Sequence, residues 1–444
     1  MGRYTADQIM AEVEERNIRF IRMQFSDVFG ILKNVSLPVS QLEKALNGEI
    51  MFDGSSVEGF ARIEESDMYL KPDFDTWQHF PWDYSEGSIA RLICDVHDSN
   101  GEPFIGDPRC VLRKTLKKAA DMGYILNVGP EAEFFLFRTD SDGAPTLTTH
   151  DQAGYFDLSP VDQGSYARRE MVNSLEEMGY EVEASHHECA PGQHEIDFKY
   201  GEALAAADRI QTFKLIVRSV ASRHGLHATF MPKPIEGIAG SGMHMNQSLC
   251  DKEGNNVFFD ENGKNELSET AYYYIGGLLK HVKAFTAITN PVVNSYKRLI
   301  TGYEAPVYIA WSGKNRSPLV RVPAKRGNST RLELRSPDPA ANPYLAEAVM
   351  LAAGLDGIKN KIEPPPACDR NLYQLTAADR KELGIDCLPH SLDEAVGELL
   401  KDDVIVDTLG EHVTACFCEA KRGEFAAFNS TVTPWEIEQY LAKY

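Results

Sequence analysis

No stretch of this chain holds the roughly eighteen successive apolar residues that a membrane-spanning helix needs. The opening Met1-Gly2-Arg3-Tyr4-Thr5-Ala6-Asp7 has no apolar block of the secretory kind either, so a cytoplasmic location is expected. Cysteine is scarce: eight residues are scattered over 444 positions, which excludes a disulfide framework and suits reduced thiols. Cys416 and Cys418 lack the two-residue gap of redox and zinc motifs, and Phe417 between them points to the core. Positive charge is short, with 45 Lys and Arg against 66 Asp and Glu, so the whole-protein field repels nucleic acid and anionic membranes. Familiar phosphate and zinc signatures are missing too. No Gly-Lys-Ser or Gly-Lys-Thr occurs, no dinucleotide fingerprint, and no His-Glu-x-x-His.

The pattern that is present alternates strands and helices without internal repeat. Thr5-Ala6-Asp7-Gln8 is a capping box opening a short amphipathic helix. Residues 18–25 and 31–37 read as a hairpin across Asp27-Val28-Phe29-Gly30, residues 41–46 as a helix, and 89–96 as another strand. The turn-rich segment 100–108 marks a boundary, giving domains 1–102 and 103–444. Beyond it, helices are expected over 109–122, 165–178, 204–224, 270–288 and 343–362, with Thr433-Pro434-Trp435-Glu436 capping a terminal one. The class is α+β.

Chemistry concentrates in a few stretches. In Gly129-Pro130-Glu131-Ala132-Glu133-Phe134-Phe135-Leu136-Phe137 a single strand would place Glu131 and Glu133 on one face, where two like charges need a cation. His186-His187-Glu188 and Gln193-His194-Glu195 flank Pro191-Gly192, and a hairpin there brings Glu188 near Glu195. Carboxylates are ligands of hard cations such as magnesium or manganese, while the histidines singly suit structural hydrogen bonding. Gly240-Ser241-Gly242-Met243-His244-Met245-Asn246-Gln247-Ser248 combines close backbone approach with His244, Asn246 and Ser248 on one strand face. Residues 297–335 gather basic side chains in an acidic protein, and Arg331-Leu332-Glu333-Leu334-Arg335 alternates strictly. Such a run is either a solvated face or a cationic pocket for carboxylate and phosphate beside a metal site. The loop Met51-Phe52-Asp53-Gly54-Ser55-Ser56 is open to two readings, surface turn or functional loop.

Taken together with Asn294-Ser295-Tyr296-Lys297-Arg298, Gly302-Tyr303-Glu304-Ala305-Pro306 and Asn315-Arg316-Ser317, these motifs resemble the bacterial type I glutamine synthetases over nearly the whole chain. The resemblance implies a small N-terminal β-grasp domain and a large catalytic domain with an antiparallel sheet and surrounding helices. It also implies a dodecamer of two hexameric rings whose active sites lie between neighbouring subunits. The activity implied is ATP-dependent condensation of glutamate with ammonia through γ-glutamyl phosphate. Carried over by position, Glu133, Glu188 and Glu195 resemble the ligands of one magnesium or manganese ion, and Glu131, His244 and Glu333 those of a second.

Arg316 and Arg335 resemble the groups that hold the transferred phosphoryl. Arg321 and Arg331, with Asn246 and Ser248, fall at the nucleotide site, and Gly240, His244, Arg298, Glu304 and Arg335 at the glutamate site. Asp53 resembles the carboxylate that a neighbouring subunit lends to the ammonium site, and Glu304 the tip of a flap that shields the intermediate. Thr301 stands where many relatives have proline. Tyr373 lines up with a tyrosine that some relatives adenylylate, but without the usual proline-acidic context after it. The chain is most similar to the short Gram-positive branch. That likeness implies feedback inhibition by glutamine through Arg62 and contact with nitrogen-regulatory transcription factors.

Overall fold

A computed structural model describes residues 4–60, 66–82 and 87–444. The capping box forms as expected: the Thr5 hydroxyl accepts from Gln8 N, the Gln8 side chain accepts from Thr5 N, and the helix runs Ala6–Glu15. Five strands follow: β1 (Ile18–Ser26), β2 (Leu32–Pro38), β3 (Ile50–Asp53), β4 (Asp67–His79) and β5 (Ser88–His97). They form one sheet in the order β2-β1-β5-β4-β3, in which β1 pairs antiparallel with β2 and parallel with β5. Strands β3 and β4 are absent from the sequence reading, because glycine, serine and charge in the intervening segment mask their alternation. The sheet puts Asp53 at the end of its edge strand β3, where a single 3-10 turn, Gly54–Ser56, follows.

Eleven further strands among the described residues build two sheets, antiparallel as expected except for one parallel pair, β14 with β15. One contains β6 (Ile125–Ala132), β11 (Gly201–Glu202), β13 (Met243–Cys250), β14 (Trp311–Ser312), β15 (Val320–Arg321) and β16 (Leu332–Leu334), in the order β11-β6-β13-β16-β15-β14. The other contains β7 (Phe134–Thr139), β8 (Pro145–Thr149), β9 (Val182–His187), β10 (Gln193–Phe198) and β12 (Leu226–Thr229), in the order β12-β7-β10-β9 with β8 on β7. The stretch 129–137 therefore corrects the single-strand expectation. It leaves the first sheet after Ala132 and enters the second at Phe134, so Glu133 sits at the crossover. The break has a physical cause: Glu133 N donates to Gly242 O at 3.0 Å, and Phe134, Phe135, Leu136 and Phe137 are all buried. A run apolar on both faces belongs inside a covered sheet.

Helices cover these sheets: Pro108–Asp121, Ser165–Glu177, Ala203–Arg223, Glu269–Thr289 and Pro343–Asn360 lie within a few residues of their expected bounds. Leu392–Leu399 and the 28-residue Asp403–Ser430 were not legible, and Pro434–Tyr440 carries the capping box on Thr433. Cys418 is buried, as the Phe417 context suggested, whereas Cys416 is only half-buried. No helix is long and apolar enough to cross a membrane among the described residues. The first sheet is locked to the rest by Arg109. Its guanidinium is 3% exposed and donates to Asp73 (2.7 Å), Asp95 (2.6 Å) and Asp208 (2.9 Å). Asn342, the N-cap of Pro343–Asn360, also donates to Asp27 O and Val28 O, both at 3.1 Å. At that contact Gly30 has φ +81°, and a Cβ there would stand 2.8 Å from Asn342 Cα, so only glycine fits.

Candidate active site

Where the two large sheets meet, a cavity of about 810 Å³ opens. Glu131, Glu133, Glu188, Glu195, His244, Glu304, Arg316, Arg321, Arg331, Glu333 and Arg335 all line it. Glu131 and Glu133 thus face one space although they belong to different sheets. A recess of about 40 Å³ continues the cavity past Glu133, His244 and Glu304 to Gly240 and Arg298. A groove of about 210 Å³ continues it in the other direction, past Glu131 and Arg331 to Asn246 and Ser248. Asp53 lines none of these spaces. It is exposed, and Ser55 and Ser56 hydroxyls at 2.6 and 2.9 Å with Ser55 N hold its carboxyl below the usual range. Arg62 lies outside the described residues.

The first donor cluster is built by register. Strand β13 lies between β6 and β16, with His244 opposite Glu131 and Asn246 opposite Glu333. His244 Nδ1 lies 3.4 Å from Glu131 Oε2 and 3.8 Å from Glu333 Oε1. Burial, aided by Arg335, holds the imidazole below its ordinary value, against the pull of Glu131 and Glu333. Burial opposes ionisation of Glu131, but His244 and an Asn246 Nδ2 bond of 2.8 Å lower it to about 2. Glu333 is likewise lowered despite burial, by His244, Arg335 and Arg321, with Arg321 Nη1 at 2.7 Å. Arg331 Nε donates to Asn246 Oδ1 at 3.0 Å, tying the basic strand face to the groove.

The second cluster sits on the β9–β10 hairpin, where Glu195 pairs in register with His186 and Glu188 N donates to Gln193 O. One donor atom each from His186, Glu188 and Glu195 lies within 4.8 Å of the others. The composition differs from the Glu133, Glu188, Glu195 set implied by the resemblance. His186 Nε2 bonds Glu188 Oε1 at 2.7 Å, while Glu133 is turned by Gln193 Nε2 (2.8 Å) and Gly242 N (2.9 Å). Glu195, Glu133 and Asp197 are all raised, first by burial and then mainly by nearby carboxylates. Such buried acids beside His186 and a second carboxylate cluster form an oxygen-rich set suited to hard divalent cations. The fit is chemical: cations would neutralise groups that otherwise repel.

Some lining residues were missed by sequence reasoning. Gln193 fixes Glu133 and also donates to Gly240 O at 3.1 Å; a lone glutamine at the start of a strand carries no signal. Tyr155 and Cys189 enter the wall only through tertiary folding. A third donor group, His150, Asp151, Asp162 and His194, lies outside the cavity and is satisfied internally. Asp151 accepts from His150 (2.9 Å), His187 (3.2 Å) and Gly192 N (3.1 Å), and Arg168 donates to Asp162 (2.7 Å). It clamps the hairpin tip.

The remaining expected groups fall at the recess and on the flap. Arg298 is 3% exposed and donates to the carbonyls of Arg335, Ser336 and Pro337 at 3.2, 2.7 and 3.2 Å. A Cβ on Gly240 would run into Pro232 O, so glycine is required where the recess narrows. Glu304 is exposed with φ +61°, next to Gly302 at φ +98°, and Thr301 is exposed beside them. The Tyr373 hydroxyl donates to Ala305 O at 3.0 Å rather than facing outward.

The comparisons agree along the length of the chain. The family described as glutamine synthetase, β-grasp domain, matches residues 17–99, and the one described as glutamine synthetase, catalytic domain, matches residues 105–440. Glutamine synthetase of Clostridium saccharobutylicum is 57% identical over 444 residues, covering 100% of both chains. That of Staphylococcus aureus strain MW2 is 55% identical over 442 residues, covering 99% of each. A solved structure described as a GmaS/ADP complex superposes with a TM-score of 0.89 at 35% identity, covering 98% of this chain and 99% of its own. Plasmodium falciparum glutamine synthetase shares the fold at 24% identity, with a TM-score of 0.87 and 99% of each chain covered. With a β-grasp sheet, a catalytic cavity and end-to-end relatives in agreement, this chain belongs to the glutamine synthetase family.

Proposed function

We infer that the chain makes glutamine from glutamate, ammonia and ATP, activating the γ-carboxylate as an acyl phosphate that ammonia displaces. One observation carries the residue-level reading: two carboxylate–histidine clusters, four arginines and a flap glutamate line one continuous cavity with a recess at one end and a groove at the other. A carboxylate is a poor leaving group at neutral pH, so direct amination is slow. Phosphate leaves readily. Bound magnesium or manganese would neutralise the two clusters and screen the phosphate oxygens during transfer.

The groove end, with Asn246, Ser248, Arg321 and Arg331, receives the nucleotide. Glutamate enters the recess end at Gly240, His244, Arg298 and Arg335. Arg316 and Arg335, both in the wall of the central cavity, hold the phosphoryl group as it crosses. Glu131, His244 and Glu333 hold one cation; Glu133, Glu188 and Glu195 hold the other. Glu304 closes over the acyl phosphate, excludes water, and accepts a proton as the adduct collapses.

Asp53, exposed and held as a carboxylate by two serines, supports a role in trans: a neighbouring subunit's copy binds ammonium and draws off its proton. The exposed Trp435, Ile437 and Leu441 of the terminal helix support burial against another copy, in the dodecamer of two hexameric rings. The domains are 1–102 and 103–444, and the setting is the cytoplasm. Feedback control through Arg62 and contact with nitrogen-regulatory transcription factors rest on resemblance to the Gram-positive branch. Asp53→Ala tests the assignment in trans. It should raise the ammonium KM at least tenfold with little change for glutamate, and equal rises in both would reject it.

A further inference from the structure

The 3-10 turn Leu372–Gln374 stands between two walls of the cavity. On one side the Tyr373 hydroxyl donates to Ala305 O at 3.0 Å, one residue after Glu304. On the other, Leu372 N donates to Ser317 Oγ at 3.1 Å, one residue after Arg316. Ser317 is itself held by Asn315 Oδ1, through its backbone N at 2.9 Å and its hydroxyl at 2.8 Å. Asn315 Nδ2 donates to Cys368 O and Arg370 O, each at 3.3 Å, and Asn371 Oδ1 caps the turn at Tyr373 N, 3.1 Å away. Both ends are anchored, since Leu372 is fully buried and Ala305 is 2% exposed. The result is a short rigid strut joining the flap to the arginine loop.

The flap needs such a support. Glu304 is a non-glycine residue in the left-handed region at φ +61°, and its side chain is exposed, so little of its own packing holds it there. We propose that Tyr373 is a positioning residue that couples the Glu304 flap to the Arg316 loop, so that a phosphoryl group held by Arg316 braces the flap against water. This rests on the functional reading above and adds a residue that, although its ring lines the cavity, acts through the flap backbone it bonds. Its chemical consequence is a partition. Ammonia attacking the acyl carbon expels phosphate with the bonding electron pair and leaves glutamine after loss of a proton. Water attacking the same carbon expels the same phosphate and regenerates glutamate, consuming ATP without product.

The test measures ADP formed per glutamine formed by the full-length assembled enzyme with magnesium, ATP and glutamate, at low and saturating ammonium. Tyr373→Phe keeps the ring and removes only the hydroxyl, and Ser317→Ala cuts the other end of the strut. At low ammonium both should raise the ratio at least twofold over the unsubstituted enzyme, and saturating ammonium should restore it. Turnover to glutamine should fall about fivefold, the factor that one ordinary hydrogen bond supplies, with the KM for ATP unchanged. Ratios equal to the unsubstituted enzyme's, with only a lowered Tm, would overturn the proposal and leave the hydroxyl a purely structural bond. An unsubstituted enzyme without glutamate- and ammonium-dependent ATP turnover would instead overturn the functional reading beneath it.

Discussion

Replacing Glu195 by glutamine should stabilise the metal-free enzyme while abolishing its response to metal. Glu195 is 7% exposed, and its donor oxygen lies within 4.8 Å of that of Glu188. At that separation and an effective dielectric of about 20, ionising both would cost about 3 kcal/mol, which favours a proton on Glu195 in the metal-free fold. Burial, Asp197 and Glu133 raise the Glu195 carboxyl above its ordinary 4.5. A folded-state value above the unfolded one gives stability that is complete below about pH 4.5 and lost as pH rises through the folded value. The metal-free enzyme should therefore lose stability from weakly acid pH upward, and Glu195→Gln should flatten that slope. A chain of this length gains about 1 °C per kcal/mol, so the metal-free variant should melt about 3 °C above the unsubstituted enzyme near pH 7.5. Manganese at a hundred times its Kd adds about 2.7 kcal/mol, or about 3 °C, where the ligand set is intact. The variant should gain less than about 1 °C and lose at least a hundredfold in glutamine formation. Scanning calorimetry with and without manganese reads both signs; equal metal-induced gains, or a less stable metal-free variant, would refute the reasoning.

Glu347 offers a second test of buried charge. It is fully buried in Pro343–Asn360, neither carboxylate oxygen accepts a hydrogen bond, and burial raises it well above 4.5. Glu347→Met should raise stability by about 1–3 kcal/mol. The gain should be larger at pH 8 than at pH 5, because ionisation favours the unfolded wild type above about pH 4.5; denaturant titration at both values checks it. Gln193→Leu removes the 2.8 Å bond that aims Glu133 and should cut glutamine turnover about tenfold while raising the manganese concentration needed for half-maximal rate. An unchanged metal requirement would assign Gln193 to packing alone.

Much of this site was legible because its chemistry is written in period-two patterns. His244, Asn246 and Ser248 alternate along β13, and Glu333 and its arginines straddle β16, so one face of one sheet could be read from spacing. Division of the carboxylates between clusters was not legible from spacing and rests on the family resemblance. Whether Glu188 meets His186 or Glu133 depends on the crossover at Glu133, which a run of residues with strand-like alternation conceals. Gln193, Tyr155 and Cys189 enter the wall through tertiary packing, which leaves no local trace. In the first sheet, β3 and β4 were missed because their turn chemistry dominates their alternation, although β3 delivers Asp53 to an edge.

The central claim is that ammonia is the amine this cavity joins to glutamate. A similar fold is found in the GmaS/ADP structure, so the choice of amine is the sharpest test. The measurement is phosphate release from ATP with glutamate and magnesium, titrated separately with ammonium, methylamine and a polyamine. We expect saturable stimulation by ammonium with equivalent glutamine formed, and less than about one-tenth of that rate with either larger amine. Equal or greater stimulation by methylamine or the polyamine, or phosphate release indifferent to any amine, would contradict it.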